Sequence, residues 1–96
     1  MRYRVRDMKT YTHSNLLEHG YKCIETLGNR QYRKAINKNT FIVINFEDNK
    51  GVFLFIVHPV PIHKYAKYVK DEATRLVIED SIEWLVANDI IYRAIV

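Results

Sequence analysis

Cysteine occurs once in this chain, at Cys23, proline twice and glycine three times. A single thiol excludes an intramolecular disulfide. It also leaves too few soft ligands for a structural zinc site, which groups Cys and His closely in tetrahedral geometry. The three glycines form no GxGxxG or Walker pattern, so the phosphate-cradling loops built on them are absent. No apolar run approaches the roughly 20 residues that span a bilayer. The opening MRYRVRDMKTYTH is basic without the apolar stretch of a signal peptide. These absences predict a cytoplasmic protein in a reducing compartment, with no metal, no cofactor and no membrane contact.

What the chain does have is a dense apolar stretch, FIVINFEDNKGVFLFIV, from Phe41 to Val57. Two runs rich in β-branched and aromatic residues flank Glu47-Asp48-Asn49-Lys50-Gly51, which reads as two strands and a five-residue connector. An antiparallel hairpin is the simplest pairing. The runs scarcely alternate, so both faces of the hairpin are expected to be covered by other elements.

Taken in order, Tyr3 and Val5 alternate with Arg2, Arg4 and Arg6, the pattern of a half-buried strand with a basic outer side. Ser14 or Asn15 caps a short helix that Gly20 stops, with Leu16 and Leu17 as its anchor on the sheet. Tyr21–Leu27 and Arg30–Asn37 read as strands around Gly28-Asn29. A two-residue loop would set Ile24 against Arg33. A three-residue loop sets Glu25 against Arg33 and Cys23 against Ala35, and is favoured because the charges then pair. Ile24, Tyr32 and Ile36 would turn inward, with Lys34 reaching out along its stem. His58-Pro59-Val60-Pro61 ends the sheet.

From Ile62 the period becomes helical, with Ile62, Tyr65, Ala66, Val69, Ala73, Leu76, Val77 and Trp84 on one stripe. Ile78, Ile82, Leu85 and Val86 widen the apolar arc of the second half, leaving Glu72, Glu79 and Glu83 as a narrow acidic seam. The helix runs from 62 to 87, either unbroken or broken near Val69–Asp71, and stops at Asn88-Asp89. Ile90–Val96 is a last strand. The whole chain, 1–96, is predicted to be one α+β domain: an antiparallel sheet of four to six strands, with one short N-terminal and one long C-terminal helix packed on it.

Catalytic constellations are missing. His13 and His19 flank the short helix and are expected to face water. His58 and His63 bracket the Pro59–Pro61 turn, where closing a strand end and capping a helix explain them more simply than acid–base work. Ser14 and Ser81 sit in no nucleophile motif. Asp71/Glu72 and Glu79/Asp80 are helix neighbours that point apart.

Charge is unevenly spread. Residues 1–40 carry nine Lys or Arg against three acids, while 71–89 carry six acids against Arg75. A chain so divided binds anions at one end and cations at the other, or satisfies itself internally. Leu16-Leu17-Glu18-His19-Gly20-Tyr21-Lys22, a helix ending in glycine before an aromatic-led hairpin, resembles the start of double-stranded-RNA-binding-like folds, including the small RNA-cleaving toxins of the HicA type. The likeness implies no activity, because the family's histidine near the first hairpin turn falls where this chain reads Gly28-Asn29-Arg30-Gln31.

Three functions follow, in order of preference. The first is a non-enzymatic binding protein acting through a protein partner, as a phage or mobile-element accessory or inhibitor; Ile, Lys, Asn and Tyr, all with AT-rich codons, are abundant. Its contact would be the acidic seam Glu72, Glu79 and Glu83 or the basic N-terminal part, with a homodimer as another use of the wide arc. The second is a nucleic-acid-binding module using Arg2, Arg4, Arg6, Arg30, Tyr32, Arg33 and Lys34, where rings stack bases and cations hold phosphates. The third is a toxin-like ribonuclease with His58 or His63 as acid or base.

Overall fold

The two central runs become β4 (Thr40–Glu47) and β5 (Lys50–Val57), antiparallel across a two-residue turn at Asp48-Asn49. Both turn residues have positive φ, 50° and 65°. That is the type I′ geometry whose twist matches the strands. The connector is shorter than the sequence implied because Glu47 and Lys50 pair within the ladder. A computed structural model describes residues 2–37, 40–57 and 72–94 of the chain.

Within them lie β1 (Arg2–Val5), α1 (Thr12–Glu18), β2 (Lys22–Thr26), β3 (Asn29–Asn37), β4, β5, α2 (Glu72–Ala87) and β6 (Ile91–Ala94). The long sheet has the order β2-β3-β4-β5, and β1 pairs with β6 in a second, two-stranded sheet. Every pairing is antiparallel. The expected α+β architecture, with a short first helix and a longer last one, is what the chain forms.

The β2–β3 register matches neither expected loop. Cys23 faces Tyr32 and Glu25 faces Arg30, because the turn falls at Leu27-Gly28, one residue earlier than read. Gly28 takes a φ of 86° and Leu27 one of 43°, again type I′. Leu27 is fully exposed and packs on nothing, so it carries a left-handed backbone that costs a non-glycine residue about 1–2 kcal/mol. Leu27→Asn is therefore expected to raise stability by about 0.5–1 kcal/mol, read as a higher urea midpoint at unchanged slope. Ile24, expected inside, is exposed, since it pairs with Gln31 on the opposite face from Tyr32.

α1 begins earlier than expected. Its first residue, Thr12, accepts the Lys9 N–H on its hydroxyl at 2.9 Å, so Ser14 and Asn15 fall inside the first turn. Both helices then end in the same way. Tyr21 N–H returns to Leu16 C=O at 3.0 Å and Gly20 N–H to Leu17 C=O at 3.2 Å; Ile90 returns to Leu85 at 3.0 Å and Asp89 to Val86 at 3.1 Å. Gly20 and Asp89 supply the positive φ of these Schellman caps. The two bonded pairs, Leu16 with Tyr21 and Leu85 with Ile90, are buried core residues. Leu17, the other expected anchor, faces away and is 42% exposed.

The core gathers on one face of the long sheet: Val5, Leu16, Tyr21, Tyr32, Ile42, Ile44, Phe46, Leu85, Ile90 and Ile91. Tyr32 meets Phe46 edge-on at 5.6 Å. α2 turns Thr74, Ser81 and Leu85 inward, with Ile78 and Ile82 half-buried. Ala73, Leu76 and Val77, on the expected apolar stripe, are exposed instead. The reason is at both ends of the helix. Asn37 Nδ2 donates to Thr74 Oγ1 at 3.0 Å, and the C-terminal cap requires Leu85 to meet Ile90 inside. Residues 62–71, the Pro59–Pro61 turn and the proposed break at Val69–Asp71 lie outside the described residues.

Candidate functional site

The far face of the long sheet was expected to be covered, and it is only partly so: Val43 is buried there, while the β5 rings are exposed. Phe53 is 38% and Phe55 43% exposed. Register assigns their neighbours. One row across the four strands reads Lys22, Arg33, Val43, Phe55, and the next reads Ile24, Gln31, Asn45, Phe53. Ala35 and Phe41 follow in a third. The rows thus run from cations and amides on β2 and β3 to aromatic rings on β5, and none of these positions holds a carboxylate.

Local contacts fix this surface. The Phe53 and Phe55 rings lie 4.8 Å apart at 32°, a tilted pair leaning along one strand. Arg33 Nη2 donates to Gln31 Oε1 at 2.9 Å, and its guanidinium lies 5.9 Å from the Phe41 ring centroid. These contacts lean the exposed Arg33 side chain along the sheet. Beneath it and Phe55, its two register partners, Val43 is almost completely buried.

The residues singled out from the sequence are spread over several surfaces. Arg33 alone is on the aromatic face. Arg30, Tyr32 and Lys34 alternate with it and point the other way. Tyr32 is fully buried; burial holds its hydroxyl pKa up at about 12, and its oxygen lies 2.7 Å from His13 Nδ1. Arg30 Nε lies 3.4 Å from Glu25 Oε1. Lys34 sits 5.6 Å from the Tyr21 ring, and desolvation lowers its pKa. Arg6 is satisfied within the fold, bridging Asp89 at 2.9 Å and lying 4.6 Å over Tyr92. Arg4 is exposed beside it on β1; the side chain of Arg2 lies outside the described set, as do His58 and His63.

The acidic seam does form a surface. Glu72, Glu79 and Glu83 are exposed. Glu79 and Glu83 rim a groove of about 320 Å³ with Tyr3, Ile78, Ile82 and Arg93. Among the described residues no three His, Cys, Asp or Glu side chains come together as a metal site, and no helix is long and apolar enough to cross a membrane.

Neither helix-flanking histidine simply faces water. His13 is held by Tyr32, and His19 stacks on Trp84, the single tryptophan, with ring centroids 3.8 Å apart and planes at 3°. Desolvation and then nearby Lys34 lower the His19 pKa below 6.5. The unfolded chain therefore takes up this proton first. The stability held by neutral His19 is complete above about pH 6.5 and falls as pH drops toward the folded value. Urea midpoints at pH 7 and pH 5 are expected to differ less in His19→Gln than in the parent protein.

The Phe53–Phe55 pair was missed in the sequence because apolar residues occupy both parities of β5, which hides direction. His13 was missed because its partner lies 19 residues away. Compared with family models, with curated proteins and with solved structures, this chain matches none.

Proposed function

We propose that the protein binds single-stranded nucleic acid, without transforming it, across the aromatic face of the β2-β3-β4-β5 sheet. The observation that carries this reading is the exposed Phe53–Phe55 pair in rows that also hold Lys22 and Arg33 and hold no acid. Bases stack on such rings irrespective of sequence, for about 1–3 kcal/mol each. The cations lie two to three strand spacings away, about 10–14 Å, within reach of the backbone of a bound strand. Gln31 and Asn45 between them offer amide donors and acceptors to base edges. An acidic protein surface would complement the cations but would leave the rings without the planar partners that bases supply.

Anisotropy of labelled oligothymidine and oligouridine tests the proposal. Affinity is expected to fall steeply between about 50 and 200 mM salt. Phe55→Ala should weaken binding by about 1–3 kcal/mol, and Lys22→Ala/Arg33→Ala should flatten the salt dependence. Unchanged affinity in Phe53→Ala/Phe55→Ala, or no saturable binding at the lower salt, would remove the reading.

A protein contact at α2 is the second reading, supported by the groove between Glu79, Glu83 and the small sheet and by exposed Val86, which lines the adjoining hollow with Tyr3 and Ile82. A basic amphipathic segment fits its charge. A stoichiometric partner recovered with the tagged protein, and lost in Glu79→Lys/Glu83→Lys while oligonucleotide binding persists, would place function there.

A further inference from the structure

On the opposite side of the long sheet, at its turn end, an open cleft of about 370 Å³ is lined by Met8, Lys9, Thr10, His13, Arg30 and Asn49. Three nitrogen bases from three separate segments meet there: Lys9 from the loop after β1, His13 from α1 and Arg30 from β3. Among the described residues no carboxylate lines it. We propose that this cleft is a phosphate-binding site, taking the phosphate group of a mono- or diester.

The site is held in place before any ligand arrives. Met8 N–H donates to Asn49 C=O at 2.7 Å, tying the Lys9 loop to the β4–β5 turn, and Lys9 N–H is tied to Thr12. His13 is oriented by Tyr32, a side chain with no exposure of its own. Tyr32 occupies Nδ1, so Nε2 is the ring nitrogen left to face a ligand, as a donor when it carries the proton.

Arg30 keeps donors too. Its Nε is turned to Glu25 at 3.4 Å and its Nη1 to the Met8 sulfur at 3.8 Å. A thioether is a weak acceptor, and a phosphate oxygen displaces it readily. Lys9 is exposed and adds a mobile ammonium at the rim. A planar fork, an imidazole oriented by Tyr32 and a point charge make a set of groups suited to tetrahedral oxyanions.

The site lies on the opposite side of the sheet from the aromatic rows and does not depend on them. Amide shifts of the full chain in inorganic phosphate, against sodium chloride at equal ionic strength, provide the test. Saturable shifts confined to Lys9, Thr10, His13, Arg30 and Asn49 are expected. Lys9→Ala/His13→Gln should weaken them about tenfold or more, and Tyr32→Phe should weaken them with Lys9 and Arg30 intact. Phe53→Ala/Phe55→Ala should leave phosphate binding unchanged even where oligonucleotide binding is lost, so the two proposals fail separately. Oligothymidine with and without a 5′-phosphate then separates a terminal monoester, bound tighter with the phosphate, from a backbone diester, bound equally. Shifts no different from those in chloride, or undiminished in a folded Lys9→Ala/His13→Gln variant, would overturn the assignment.

Discussion

Gly51→Ala is expected to destabilise the protein by roughly 3 kcal/mol, at the upper end of what overpacking costs. A methyl group at this position would overlap the carbonyl of Val5 and come within 2.6 Å of the Arg6 carbonyl oxygen. These are backbone atoms, so no rotamer change relieves the clash. β1 would have to move as a unit, and it is fixed on both sides. Its ladder to β6 continues in the Arg6 N–H bond to Ile90 C=O at 2.9 Å, while Met8 N–H and the Asp7 carboxylate hold the β4–β5 turn. Gly20→Ala is the control. Its φ of 92° penalises a side chain, but the nearest atom is Lys34 Cε at 3.9 Å, so only the conformational cost of about 1–2 kcal/mol applies. Urea unfolding of both variants separates the two causes. A loss at Gly51 no larger than at Gly20 would mean that β1 does not cross the turn as described.

Gly51 also shows where sequence reading stops. A glycine after Asn49-Lys50 looks like turn chemistry, yet the turn is Asp48-Asn49, and Gly51 is small because another strand crosses it. That strand is some 45 residues away in sequence, and no local pattern reports it. Element types were legible for a local reason: β-branched runs, the helical period over Glu72–Ala87, and a stop at Gly20 and at Asn88-Asp89 all act through neighbouring residues. Faces were less so. Strand parity is plain where polar and apolar residues alternate, as in Tyr3 and Val5 against Arg4 and Arg6. It is hidden in Val52–Val57, where both parities are apolar and the exposed Phe53–Phe55 pair looks the same as the inward Leu54 and Ile56. The Arg/Tyr group failed as one site for the opposite reason. Arg33 and its neighbours Tyr32 and Lys34 are adjacent in sequence, and adjacency in a strand means opposite faces.

Leu85→Ala is expected to cost about 2–5 kcal/mol, and Leu76→Ala less than about 0.5 kcal/mol. Both are apolar positions of one helix, and the sequence reading placed Leu76 on the main stripe and Leu85 in the group that widens it. Nine residues at about 100° each put the two on opposite sides of α2. Leu85 shares its side with Thr74, Ile78 and Ser81, and is fully buried, whereas Leu76 is 51% exposed. Thr74 and Ser81 bring little apolar surface to that side, so Leu85 is the one fully buried apolar anchor among the described residues of the helix, with Ile82 and Trp84 packed partly against the same cluster. It also carries the cap: Ile90 N–H bonds to its carbonyl, and its side chain lies in the same core cluster as that of Ile90. Truncation leaves a cavity beneath the point where the chain turns from α2 into β6, and β6 is the partner of β1. Loss of stability should therefore be accompanied by faster amide exchange at Arg4 and Tyr92. Equal costs at the two leucines, or a larger one at Leu76, would require α2 to be turned by half a revolution, burying Leu76 and Val77 and removing the groove beside Glu79 and Glu83.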